Sequence, residues 1–260
     1  MTSECRLLRQ DRGFTLTELA VVMVIAALLV GGLLLPLSAQ LDVRNLNDNR
    51  KAMAEVREAL LGFAAANGRL PCPAATTTAS EVAGAGVESA LVSGVCPNHT
   101  GVLPWATLGV SEGDAWGHRF TYRVSPGFAQ SVPPPGTAWP SPCTTNPQNA
   151  AFVLCSRGEL DILSSTGGNG IASDVPAVII SHGKNGNGAY TAEGTQLAVG
   201  SDADERENQI VSSGATGWTD DGMAKRFVKR STPTASYDDE VVWIPPGLLF
   251  NRMITAGRLP

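Results

Sequence analysis

A single carboxylate, Glu18, stands directly ahead of residues 19–35, a run of 17 residues with no charge and no strongly polar side chain. An unpaired carboxylate is costly in hydrocarbon, so an ionisable group at the head of such a helix marks a functional position. The run is slightly short for a bilayer, which takes about 20 apolar residues as a helix. Adding residues 14–16, or Leu37, reaches that length. The residues ahead carry Arg6, Arg9 and Arg12 against Glu4 and Asp11. Basic residues before a span hold that end in the cytoplasm, so the bulk of the chain is expected to be exported. A secretory signal would end at a small-x-small site. Only Leu37-Ser38-Ala39 comes near, and Leu37 is too bulky there. Neither a secretory signal nor a plain anchor accounts for Glu18.

Gly13, then Phe14, then Glu18 four residues later, resemble the class III signal of type IV pilins and type II secretion pseudopilins. The resemblance implies that a prepilin peptidase cuts after Gly13 and that the new amino group of Phe14 is methylated. It further implies a single-pass inner-membrane protein with a periplasmic C-terminal domain. Such a subunit leaves the lipid bilayer through an inner-membrane assembly platform and joins other pilin or pseudopilin subunits in a filament. There Glu18 would be neutralised by the Phe14 ammonium of a neighbouring subunit. The expected parts are a leader at 1–13, a transmembrane and filament-core helix at 14–36, the amphipathic half of the same helix at 37–68, and a globular domain at 69–260.

Composition agrees with an anchor plus one domain. The leader takes three arginines and two carboxylates with it, moving the formal net charge from −5 to −6. An acidic chain is a poor nucleic-acid partner, because phosphate binding needs a basic face. The 28 glycines and 17 prolines favour a loop-rich domain. Cys5 lies in the leader, leaving Cys72, Cys96, Cys143 and Cys155. An even count in an exported chain points to two disulfides, with three connectivities open. The sequential pairs Cys72–Cys96 and Cys143–Cys155 close local loops and are favoured; free buried thiols are the alternative.

Periodicity predicts one long helix over residues 14–66, loosened at Pro36 with Gly31 and Gly32 before it. Its second half places Met53, Val56, Leu60 and Phe63 on one face, and Asn67-Gly68 with Pro71 ends it. Residues 70–113 read as a long connection with short helices around 79–92. Strand-like runs follow at 119–124, 151–156, 175–181 and 240–244, and 248–254 reads as a short final helix. The expected fold is α+β: a long N-terminal helix packed on a small antiparallel sheet of three to four strands with long loops.

Two further segments resemble the major pseudopilin of type II secretion. Asp114-Ala115-Trp116-Gly117 before Phe120 and Tyr122 is similar to its Asp-Pro-Trp-Gly turn, which makes Trp116 structural. Residues 179–188 resemble its Ser-x-Gly-x-Asp-Gly loop, and 239–243 its Asp-Ile-x-x-Trp close. That likeness implies a calcium site with Asn185 and Asp239 as ligands, since a hard cation wants six to eight oxygens. This chain has Asn185 where the family loop carries Asp. The acidic residues Asp202, Asp204, Glu205 and Glu207 could replace the missing ligand; a metal-free, hydrogen-bonded loop is the alternative.

Gly109-Val110-Ser111-Glu112-Gly113 matches the G-x-S-x-G pattern, which needs a strand before it and a helix after it. Leu103-Pro104 and the turn at 114–117 argue against that context. His99, His118 and His182 show no metal-ligand spacing. The sequence therefore reads as an assembly subunit with no enzymatic role. A filament-displayed or membrane-anchored binding protein, using loops 132–147 and 183–222, is the alternative.

Overall fold

The computed structural model describes residues 14–135, 148–209, 225–234 and 236–260, with backbone alone at 31–39 and 225. Gly13, the rest of the leader and Cys143 lie outside these residues, as do much of the loops 132–147 and 183–222. The elements in chain order are α1 (Leu16–Asn67), β1 (Thr100–Val102), α2 (Trp105–Leu108), β2 (Thr121–Val124), a 3-10 turn (Pro126–Phe128), β3 (Leu160–Leu163), β4 (Gly170–Val175), β5 (Ala177–Ser181), α3 (Ala203–Glu207), β6 (Lys225–Val228), β7 (Glu240–Ile244) and α4 (Pro246–Thr255). The fold is α+β, with an N-terminal helix and an antiparallel sheet. Contacts divide the chain into two units, Met1–Leu46 and Asn47–Pro260, and α1 continues from one into the other.

In the first unit α1 starts at Leu16, and its helical assignment is unbroken at Pro36. The side chains from Leu16 to Val30 are exposed all round. No helix among the described residues is long and apolar enough to cross a membrane. The expectation of a membrane-spanning first half is therefore not met by those residues.

The second unit has three layers. Its central sheet is antiparallel with strand order β1-β2-β5-β7. Phe120, Tyr122 and Val124 share one face of it with Ala177, Ile179 and Ile244. That face packs on Met53, Val56, Leu60, Leu61 and Ala64 of α1 and on Leu249 and Met253 of α4. The buried stripe is turned slightly from the expected one: Leu61 and Ala64 are fully buried, whereas Phe63 is half-exposed. Gly68 ends α1 at φ +76° and donates to Ala64 O at 2.7 Å. A side chain in that left-handed position would meet Asn149 O at 2.6 Å, so glycine is required there.

The opposite face of the central sheet carries Val178, Ile180, Val241 and Trp243, and a second sheet covers it with Leu160, Ile162, Val175 and Phe227. This second sheet has order β4-β3-β6, with β3 antiparallel to β4 and parallel to β6. It corrects the expectation of a single, wholly antiparallel sheet. Burial of both faces explains why β5 reads Ala177-Val178-Ile179-Ile180 without alternation.

Two other local expectations fail. Residues 151–156 form no strand; Ala151 and Phe152 are instead buried in the helix-side core, with the Phe152 ring 4.6 Å from that of Phe128. Residues 79–92 hold turns and no helix. This connection is stapled by the Cys72–Cys96 disulfide, which lies buried against Ala129. Cys155 is disulfide-bonded as well.

Candidate functional site

Two places bring together the residues that the sequence singles out. The first is the start of α1. Thr15 precedes the helix and Glu18 is its third residue. The Thr15 N–H and hydroxyl donate to Glu18 Oε2, each at 2.8 Å, and the Glu18 N–H donates to Thr15 Oγ1 at 3.3 Å. This reciprocal pair is a capping box, in which a hydroxyl residue and a glutamate three positions later satisfy each other's orphan backbone donors. The carboxylate also sits where the helix dipole favours negative charge. Thr15-x-x-Glu18 is a capping signal legible in the sequence, and it stands beside the Glu18 charge that the apolar run makes conspicuous. Phe14, the expected methylation position, is described as non-helical and 87% exposed.

The second place is the loop after β5. Gly183 and Gly186 take left-handed φ of +59° and +65°. A side chain at Gly183 would strike Asp238, and one at Gly186 the His118 ring, both at 2.5 Å. The loop can therefore lie against β7's approach and the Asp114 turn only as glycine. Carboxylate oxygens of Glu205, Asp238 and Asp239 converge beside it, all within 4.8 Å of one another. Glu205 and Asp239 are buried. Among the described residues, Asp238 Oδ1 and Asp239 Oδ1 have no hydrogen-bond partner, and neither does His182 Nδ1, 3.6 Å from Asp239 Oδ1. His182 is fixed from its other side by Thr121 Oγ1, 2.8 Å from Nε2.

Asn185 and Asp239, the sequence-expected ligands, have different roles. Asp239 is in the cluster, its second oxygen accepting from Asn208 Nδ2 at 2.9 Å. Asn185 turns its amide nitrogen to Glu205 Oε1 at 2.6 Å, while its Oδ1 accepts the Asn187 N–H at 2.8 Å. Asn187 Nδ2 holds the other Glu205 oxygen at 2.8 Å. The two asparagines thus aim Glu205 through their amide nitrogens. Of the acidic stretch, only Glu205 arrives. Asp202 caps α3 and, with Asp204, clamps Arg230 at 3.1 and 2.5 Å.

The electrostatics separate the two groups. Burial raises the Glu205 carboxyl above its ordinary range, and the charges of Asp239 and Asp238 raise it further against the asparagine hydrogen bonds. Burial also raises Asp238, with Asp239 adding to it against the backbone N–H of Asn185. For Asp204, burial works in the same direction, but hydrogen bonds from Thr166 and Arg230 outweigh it and hold the carboxyl low. A convergent, buried set of carboxylates with two orphaned oxygens fits a hard divalent cation, whose ligands are oxygens.

The Asp114 turn is a structural support for this loop. Asp114 Oδ1 accepts the N–H groups of Trp116 and His118, both at 2.9 Å, and Oδ2 accepts Ser181 Oγ–H at 2.7 Å. Ser181 in turn accepts from the buried Asn49 of α1 at 3.1 Å. His118 Nδ1 donates to Gly183 O at 3.1 Å. Ser111 follows the short α2, not a strand, and donates to Gly113 O at 2.9 Å. It lacks the strand–turn–helix setting of a nucleophile elbow.

Residues 8–34 match the prokaryotic N-terminal methylation motif, the signature of prepilin-type proteins of the type IV pilin and pseudopilin kind. The matched span contains Gly13, Phe14, Glu18 and the capped start of α1. No curated protein and no solved structure matches the chain at a significant level.

Proposed function

We propose that the chain is a structural subunit, a minor pilin or pseudopilin, of a type IV pilus or type II secretion filament. The observation that carries this reading is the N-terminal methylation motif at 8–34, with Glu18 held in the first turn of α1. In this account residues 14–36 insert in the inner membrane and the domain from 69 onward lies in the periplasm. Cleavage after Gly13 frees the Phe14 amine, which is then methylated. Assembly exchanges lipid contact for helix–helix contact, and Glu18 pairs with the Phe14 ammonium of the next subunit. A charge pair inside an apolar core adds little net stability, but a subunit out of register leaves a carboxylate buried without its partner. The pair therefore selects register. The test is co-expression with a prepilin peptidase: wild-type protein shortens by its leader, and Gly13→Val stays full-length. Shortening of the Gly13→Val variant would refute the cleavage assignment.

The three-carboxylate cluster supports a second element, a calcium site held by Glu205, Asp238 and Asp239. Bound there, the ion would supply positive charge to offset the three carboxylates that α3 and the approach to β7 bring together. Asn185 and Asn187 orient Glu205, and His182 stands behind Asp239. Calorimetric titration of chelated protein with calcium tests it; absence of binding heat, with no change in melting temperature, would remove the site from the account.

A further inference from the structure

A groove opens in the second unit where the ends of β3, β4 and β6 meet Trp243 of β7, with a volume of about 560 Å³. Small-ligand sites span about 300–1,000 Å³. Its wall is apolar. Trp243 is half-buried, and Ile171 of β4 is left 48% exposed. Its rim is made of neutral hydroxyls: Ser164, Ser231, Thr232 and Thr234, all exposed. Each hydroxyl can both donate and accept a hydrogen bond; Ser164 Oγ already donates to Asn169 O at 3.3 Å and Thr234 Oγ1 already accepts the Tyr237 N–H at 3.1 Å, while Ser231 and Thr232 face the groove beside them.

The two cations that border the groove are largely engaged within the chain. Arg230 donates Nε to Asp204 at 2.5 Å and Nη1 and Nη2 to Asp202 at 3.2 and 3.1 Å, and its guanidinium lies over the Tyr237 ring. It has no free fork for a phosphate or carboxylate. Lys229 Nζ gives one of its three donors to Val241 O at 2.8 Å and lies over the Trp243 ring, 5.5 Å from its centroid, so it takes up part of that face. The groove thus offers an aromatic ring shared with the Lys229 ammonium, a branched alkyl wall and a periphery of neutral hydroxyls. That is the complement of a pyranose ring, which has an apolar C–H face and hydroxyls around its edge.

We propose that this groove binds a neutral saccharide, one or two rings set against Ile171 and the part of Trp243 that lines it, with their hydroxyls bonded to Ser231, Thr232 and Lys229. The inference is independent of the filament reading, because none of these residues takes part in processing or in the carboxylate cluster.

The test uses the full chain in detergent micelles, applied to an array of neutral oligosaccharides built from glucose, galactose and N-acetylglucosamine. Binders are then measured by saturation-transfer NMR. The expected result is saturation of the ring protons of at least one saccharide. Thr232→Trp, which fills the groove from an exposed position, should lower the affinity at least about tenfold. Trp243→Phe should weaken binding while keeping the core filled. No transfer at millimolar saccharide overturns the proposal, as does binding unchanged by Thr232→Trp. A saccharide-silent groove whose Thr232→Trp variant loses self-association would assign the surface to a second copy of the chain and equally overturn it.

Discussion

Thr15 and Glu18 hold each other across the first turn of α1, with both Thr15 donors on one carboxylate oxygen and the Glu18 N–H returned to the threonine hydroxyl. Glu18 therefore has a shape role and a charge role. Glutamine can fill the N3 place of a capping box as glutamate does, but it carries no charge. The two roles can be separated by mutation.

Glu18→Gln should leave the helix start intact and still damage assembly, whereas Glu18→Ala should loosen the first turn as well. The cap itself is worth about 1 kcal/mol. Amide hydrogen exchange at the first turn reads the cap, and cross-linking of subunits in native membranes reads assembly. Normal assembly of Glu18→Gln would rule out the charge-pair mechanism.

The helix-side core gives a stability prediction. Leu60 is fully buried among the central sheet and α4. Leu60→Ala should cost about 2–5 kcal/mol, the range for large-to-small changes in packed cores. Denaturant unfolding of the detergent-solubilised chain measures it. A loss well under 1 kcal/mol would contradict the packing of α1 on the sheet.

The carboxylate cluster gives a pH prediction with a definite sign. Glu205 and Asp238 have raised values in the folded chain, so their contribution is favourable while protonated and is lost as pH rises through those values. Glu205→Gln removes one such group. In chelator, its melting temperature should gain on the wild type as pH rises from about 4 to about 7. Calcium at neutral pH should raise the wild type and leave Glu205→Gln nearly unmoved. A calcium effect of equal size in both would show that Glu205 is not a ligand.

The Cys72–Cys96 bridge closes a 24-residue separation in a connection that has no helix of its own. Replacing both cysteines with serine should cost about 3 kcal/mol, read as a lower unfolding midpoint. Faster proteolysis within 73–95 should accompany it. An unchanged midpoint would mean that Arg119 and its neighbours hold the connection unaided. Arg119 is buried and donates to Glu112, Ser80, Thr76 O and Ala192 O.

Periodic and composition-driven features were legible in the sequence. The Met53–Val56–Leu60 stripe, β2, β5, β7 and α4 all follow from local pattern. What escaped depends on distance or on tertiary contact. β6 opens with Lys225-Arg226 and earns its place only by parallel pairing with β3, about sixty residues upstream. β1 has three residues, one of them glycine. Residues 151–156 have strand composition, but Phe152 satisfies its apolar demand by packing on Phe128 and Phe250. At the carboxylate cluster the sequence offered four acidic candidates in 202–207, and only folding of α3 selects Glu205. The clamp of Asp202 and Asp204 on Arg230 turns the helix that way. Asp238, adjacent to the expected Asp239, had no separate signal.

The filament account stands or falls on the N-terminus of the mature protein. Intact mass and N-terminal peptide mapping of the chain purified from its native membrane read it in one experiment. The account predicts a chain that begins with N-methylated Phe14 and lacks residues 1–13. A mature chain that begins at Met1, or at Gln40 after a secretory-type cut, would contradict it.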